Sequence, residues 1–145
     1  MLLVIPGRLE YRDCAVRAVH AMVKLTGAGT DFVTAVVSAF SEAFNNVALH
    51  AYDPGAEGDL EIRIEIADHL ITVRLLDWGR SFDVTALPPP DLDALPESGL
   101  GLYILRACMD EVRYHAGQSA GTPNVLSMTK RLPSAARDCG AGTIG

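Results

Sequence analysis

From Leu60 to Leu75 the chain alternates between apolar and polar residues with a period of two, which only an extended segment can use. Leu60, Ile62, Ile64 and Ile66 fall on one side, and Glu61, Arg63 and Glu65 on the other. Asp68-His69 makes a tight turn, after which Ile71, Val73 and Leu75 resume the pattern. Strands joined this tightly are antiparallel, and the pattern gives them one covered face and one wetter face. Something apolar elsewhere in the chain has to do the covering.

Two amphipathic stretches upstream are suited to it. Arg12 to Leu25 carries Val16, Val19, Met22 and Val23 on one face, with Asp13 available as an N-cap and Gly27 as a stop. A second helix is predicted from Thr30-Asp31 to about Ala51. Phe32, Val36, Val37, Phe40, Phe44 and Val47 make it apolar over a wide arc, and Asp53-Pro54-Gly55 breaks it. Downstream, Gly99 to Met109 reads as a third helix. Glu111 to His115 and Asn124 to Leu132 read as two more strands, joined by a Gly117 to Gly121 loop. Between the hairpin and that helix, Asp83 to Ser98 holds Pro88-Pro89-Pro90, Pro96 and the acids Asp83, Asp91, Asp93 and Glu97. This composition excludes regular structure and reads as a lid or binding loop.

Strand pairs interleaved with helices, without a βαβ rhythm, describe an α+β chain: a two-layer α/β sandwich whose mixed, mostly antiparallel sheet carries helices on one face. Residues 1–132 read as a single domain, and the small, Gly/Ala-rich residues 133–145 as a flexible tail. A length of 145 residues supports one such core. The net charge of −6 and the absence of a basic stripe argue against general nucleic-acid binding. Cys14, Cys108 and Cys139 form no CxxC pair, which favours reduced thiols over a disulfide scaffold or zinc site. Met1 to Ile5 is apolar but short, and no apolar run approaches the roughly 20 residues of a membrane span, so a cytoplasmic location is expected.

Three separated segments carry residues that a core alone would not choose. In the second helix Ser38, Glu42, Asn46 and His50 recur every four residues, stacked along one side, with Asn45 bordering them. A carboxylate and a carboxamide one turn apart suit a polyphosphate site: Asn46 can offer an oxygen to Mg²⁺, and Glu42 can accept a proton from an attacking hydroxyl. The same stripe can equally be a solvated helix edge. Asp77 ends the second strand of the hairpin, with Gly79 and Phe82 just beyond. There it can accept from an exocyclic amine such as adenine N6 while the glycine lets backbone approach a flat ring; otherwise it makes an Asx-turn. Phe82 serves as a wall for the base or as ordinary core. Finally, Ser98-Gly99-Leu100-Gly101 opens the third helix, where unpaired N–H groups and the helix dipole favour an anion. Neither a P-loop GK[ST] nor a GxGxxG fingerprint is present.

In combination, a helix with ExxxN, a strand-end DxG, a lid and a GxG helix resemble the GHKL (Bergerat) ATP-binding superfamily, from about Leu9 to Leu132. Ser41-Glu42-Ala43-Phe44-Asn45-Asn46 through His50 and Tyr52 is most similar to the anti-sigma factor serine/threonine kinases, whose helix reads SEAxxNAxxHxY. Ser98-Gly99-Leu100-Gly101-Leu102-Tyr103 and Met109-Asp110-Glu111-Val112 are similar to the same branch. The resemblance implies an ATP-dependent protein kinase that binds Mg·ATP and phosphorylates a serine of a STAS-domain anti-sigma factor antagonist, thereby regulating a sigma factor. It implies Glu42 as general base, Asn46 as Mg²⁺ ligand, Asp77, Gly79 and Phe82 around adenine, and Ser98 to Gly101 at the phosphates. Thr122 or Thr129 would be a further adenine contact, and a homodimer is typical of the family. One departure is that Pro96-Glu97-Ser98 stands where these kinases often place a lid arginine, leaving Arg80 and Arg106 as the nearest cations in sequence. A nucleotide-gated partner switch with little kinase activity is the alternative, and a detached histidine-kinase catalytic domain a third reading.

Overall fold

The structure is a computed structural model that describes residues 1–86 and 100–134. Its elements are β1 (Leu2–Pro6), α1 (Arg12–Lys24), α2 (Thr30–His50), β2 (Asp59–Ala67), β3 (Leu70–Asp77), α3 (Leu100–Cys108), β4 (Glu111–His115) and β5 (Asn124–Arg131). The five strands form one sheet in the order β1-β2-β3-β5-β4, and each of the four neighbouring pairs is antiparallel. The sheet is therefore antiparallel throughout, where a mixed one was expected.

The hairpin folds as its alternation dictates. Ile66 faces Ile71 and Ala67 faces Leu70 across a two-residue turn, with Asp68 and His69 at φ 53° and 63°. Left-handed backbone at two successive residues matches the right-handed twist of the flanking strands. Asp and His are among the non-glycine residues that tolerate it best. Leu60, Ile62, Ile64, Ile71, Val73 and Leu75 are buried on the covered face, while Ile66, nearest the turn, remains 43% exposed.

The strand β1 is absent from the sequence reading, and its burial explains why. Leu3 and Ile5 pack on the core, yet Leu2 and Val4 are exposed, so apolar residues point both ways and no alternation marks the strand. It lies at the sheet edge with Pro6 as its last residue, where a missing N–H costs no ladder bond.

On the covered face, α1 and α3 both pack against α2. The inner face of α1 buries Ala15, Val19 and Val23. Asp13 does not cap this helix: Tyr11 occupies the cap position, no side chain completes it, and Asp13 sits in the first turn, where its charge favours the helix dipole. The exit matches expectation, with Gly27 at φ 73°. Central to everything is α2, which buries Phe32, Val33, Val36, Ala39, Phe40, Ala43, Phe44 and Val47. By length and composition α2 could cross a membrane; half of its apolar window is buried inside this fold, which accounts for the composition without a bilayer.

Residues 87–99, which hold most of the proline-rich acidic segment with Ser98 and Gly99, lie outside the described residues, as do 135–145 of the expected tail. The start of that segment forms a short 3₁₀ turn, Val84–Ala86.

Phe40 is fully buried and meets Phe44 in a tilted ring contact, with centroids 6.2 Å apart. Phe40→Ala removes that contact and leaves a cavity, so chemical denaturation is expected to show a loss of about 3–5 kcal/mol in unfolding free energy.

Candidate functional site

The polar column of α2 emerges where the α2–α3 contact opens. Glu42 and Asn46 are both partly buried, one turn apart. Gly101, in the first turn of α3, lies directly opposite: a Cβ there would stand 3.4 Å from Glu42 Oε2 and within 4.0 Å of both terminal atoms of Asn46. Any larger residue at 101 would fill the space between the helices. The structure thus gathers three of the residues singled out from sequence into one cradle.

Asn46 is unusual within it. Its Nδ2 atom is buried and has no hydrogen-bond partner among the described residues. An unpaired buried amide costs roughly 1–3 kcal/mol and is rarely kept without use. Turned over, the same carboxamide directs an oxygen to that place. Farther along, His50 leaves the column and stacks on Phe82, with ring centroids 4.1 Å apart and planes at 18°.

At the neighbouring strand end, Asp77 is 6% exposed. Its Oδ1 accepts from the Gly79 N–H at 3.0 Å and from Asn124 Nδ2 at 2.9 Å. Burial raises the Asp77 pKa above the ordinary 3.8, and the hydrogen bonds from Asn124 and Gly79 oppose that shift. The i to i+2 bond is the Asx-turn considered from sequence, but Gly79 is not among the residues with positive φ. Its reason is packing. An added Cβ would lie 2.1 Å from the Ala51 carbonyl oxygen at the end of α2, and that oxygen accepts from the Arg80 N–H at 2.6 Å. The glycine lets strand and helix ends meet.

Between these two groups lies a small recess, open on one side and lined by Ala43, Asn46, Val47, Ala51, Asp77, Arg80, Phe82, Tyr114 and Leu126. The lining is mostly apolar, with Asp77, Asn46, Arg80 and the Tyr114 hydroxyl as its polar groups. Phe82 therefore does form a wall, and its N–H donates to the Tyr114 hydroxyl at 2.9 Å.

Other expected residues are not brought here. Thr129 pairs with Thr72, five positions along β5 from Asn124, or about 17 Å at strand spacing. Thr122 is exposed and its hydroxyl pairs with Ser119 in the β4–β5 loop. The position opposite Asp77 belongs to Asn124. Sequence reasoning passed over Asn124, although its place at the start of a strand facing a strand-end aspartate was a usable signal. It also passed over Arg12, whose guanidinium donates to Ser41, the residue before Glu42. Of the two cations weighed from sequence, Arg80 pairs with Asp53 at 2.6 Å and Arg106 lies exposed on α3. Leu100 is the first residue of α3.

The fold is a two-layer sandwich on an antiparallel sheet, with a recess between its central helix and a strand-end aspartate. Residues 5–130 match the family described as the histidine kinase-like ATPase domain. The chain belongs to that family, and within it to the anti-sigma factor serine/threonine kinase branch. It is similar to the serine-protein kinase RsbW of Bacillus subtilis strain 168, at 30% identity over 138 residues, covering 88% of this chain and 82% of that one. With the RsbW of Staphylococcus epidermidis the identity is 31% over 136 residues, covering 88% and 85%. Among solved structures, the RsbU and RsbW domains of a Mycobacterium tuberculosis protein superpose with a TM-score of 0.66 at 18% identity, covering 91% of this chain and 31% of that one. The histidine kinase domain of the blue-light activated kinase of Erythrobacter litoralis EL346 gives 0.54 at 21% identity, covering 92% and 64%. These two share the fold.

The buried carboxylate gives a pH test. Because the folded-state pKa of Asp77 is raised, its contribution to stability is fully present below the ordinary value of 3.8 and is lost as pH rises through the raised value. Asp77→Asn keeps an acceptor for Asn124 and removes the buried charge. Thermal unfolding is expected to show Asp77→Asn melting above wild type at neutral pH, with the gap closing as the pH falls.

Proposed function

We propose that this chain is a protein serine/threonine kinase that takes its phosphoryl group from Mg·ATP and delivers it to a serine of a STAS-domain anti-sigma factor antagonist. In this reading it acts in the cytoplasm, and the phosphorylation state of the antagonist governs how much sigma factor is free for transcription. The observation that carries the proposal is the cradle formed by Glu42, Asn46 and Gly101, with an unpartnered amide beside a carboxylate. The family membership supplies the reaction class.

In this reading adenine enters the recess with its exocyclic amine toward Asp77 and one face toward Phe82. The phosphates run toward the start of α3, where Gly101 keeps the path open and Ser98 to Leu100 contribute hydroxyl and backbone groups. Mg²⁺, when bound, neutralises phosphate charge, and Asn46 is its protein ligand. Asn46 fits that role because its amide nitrogen is buried without a partner among the described residues. Glu42 accepts the proton of the substrate hydroxyl as that oxygen bonds to the terminal phosphorus. The bond from that phosphorus to the bridging oxygen breaks, and ADP leaves with the electron pair. A carboxylate one helical turn from the metal ligand is held by the α2 backbone, so base and phosphate share one rigid frame.

The test uses purified protein, radiolabelled ATP and purified STAS-domain proteins from the same organism. Wild type transfers phosphate to a single serine. Glu42→Ala is expected to lower the transfer rate by a factor of about 10²–10⁴, the usual worth of a general base, with ATP affinity changed by less than about threefold. Full retention of transfer in Glu42→Ala overturns the base assignment. Binding of ATP with no transfer to any partner, together with partner release that is identical in wild type and Glu42→Ala, makes the protein a nucleotide-gated switch instead.

A further inference from the structure

We propose that Asn124 is the positioning residue for nucleotide selection, orienting Asp77 so that its second carboxylate oxygen is the one offered to the base. The inference rests on the nucleotide-binding reading above and assigns a role to a residue outside its motifs.

Asn124 is 3% exposed and uses its whole hydrogen-bonding capacity. Its Nδ2 donates to Asp77 Oδ1 at 2.9 Å and to the Gly79 carbonyl at 3.0 Å. Its Oδ1 accepts from the Ser81 hydroxyl at 3.0 Å and from the Gly117 N–H at 2.9 Å. Turning the amide over would set oxygen against a carboxylate and a carbonyl, and N–H against N–H. Only one orientation satisfies the site.

Two things follow for Asp77. Both of its hydrogen bonds fall on Oδ1, so that oxygen is saturated and Oδ2 has no partner among the described residues. The carboxylate plane is pinned from one side by β5, across the Asp77–Asn124 register pair. The same amide ties down Gly79 and Ser81, on either side of Arg80 and just before Phe82, so the base wall and the base acceptor are fixed together. The Gly117 contact adds the β4–β5 loop to this assembly. A fixed, ionised acceptor favours adenine, which offers an amino group, over guanine, which offers a carbonyl at the same edge. Sites built around such a buried polar partner reject the wrong analogue by large factors.

Threonine, leucine and aspartate do not reproduce this set of bonds. Threonine has one hydroxyl and cannot span four partners. Leucine leaves Gly117 and Gly79 unpaired. Aspartate has the right shape, but it can donate to Asp77 only while it carries a proton. Asn124→Asp therefore converts a pH-tolerant device into one that fails as pH rises, when two carboxylates face each other. Wild type has the opposite slope, because acid protonates Asp77 and removes the acceptor.

Other titratable or charged groups around the site are Arg80, paired with Asp53, and Tyr52 and Tyr114, both held neutral to higher pH by burial. Asp59 and Asp83 lie beyond those tyrosines, Glu42 lies on α2, and His50 stacks on Phe82. Because His50 stacks on the Phe82 ring, the comparison is made on a His50→Gln background.

The experiment measures ATP and GTP dissociation constants by calorimetry between about pH 4 and 8 for that background, Asn124→Asp and Asn124→Leu, with thermal unfolding of each. Expected are affinity rising with pH in the parent, affinity falling with pH in Asn124→Asp, and about a 10–100-fold loss of ATP preference over GTP in Asn124→Leu. In phosphoryl transfer, KM for ATP rises in Asn124→Leu while kcat at saturation stays within about threefold. A purely structural asparagine would lower the melting temperature without reversing the pH slope. Asn124→Asp is close to isosteric, and it decides the matter if Asn124→Leu does not fold. A parent that binds ATP, with variants that keep its pH slope and its preference, overturns the positioning role. A parent that binds no adenine nucleotide overturns both this role and the nucleotide-binding reading.

Discussion

One helix is asked to be a core element on three sides and a chemical surface on the fourth. The sheet, α1 and α3 all lean on α2, and eight of its side chains are buried as a result. The residues between these positions stay partly buried or exposed, and with 3.6 residues per turn Ser38, Glu42 and Asn46 line up among them as one partly buried polar column. Because α3 arrives beside this column with Gly101 in its first turn, the polar residues are sheltered without being filled over. Every other part of the candidate site is placed relative to this helix: the strand end through Gly79 on Ala51, and the wall through Phe82 on His50.

A second organising contact is at the far side of the recess. The sheet could end at Asp77 with frayed backbone, as strand ends often do. Instead, the aspartate, the turn after it and the start of β5 are knitted through one buried amide. A charge held in so little water is costly, and the raised pKa of Asp77 records that cost. The same desolvation makes the carboxylate a stronger partner for any ligand that satisfies it.

What could be read from the residues followed their physics. The hairpin was plain because period-two burial is written in its side chains, and α2 was plain because its apolar arc is wide. The edge strand β1 was hidden because Leu2 and Val4 are apolar yet exposed, so burial and hydropathy disagree there. The cap of α1 was misplaced by two residues because Asp13 is a good cap by type, while the chain enters through Tyr11 without one. In the site, residues on regular elements were legible by spacing, as Glu42, Asn46 and Asp77 were. Asn124 depended on register between strands distant in sequence, and threonines attracted attention by type alone. The reason for Gly79 was also out of reach, since its neighbour Ala51 lies on another element and reveals itself only in three dimensions.

That last contact changes how glycine at this position is to be interpreted across kin. Gly79 is needed because backbone touches backbone where strand and helix ends converge, whatever occupies the recess. A descendant that had abandoned nucleotide would still be obliged to retain it, since any side chain there would push the two ends apart. The persistence of the glycine is thus a signature of architecture. The Asn46 amide, buried without a partner among the described residues, has no such architectural excuse, and drift would erase it first.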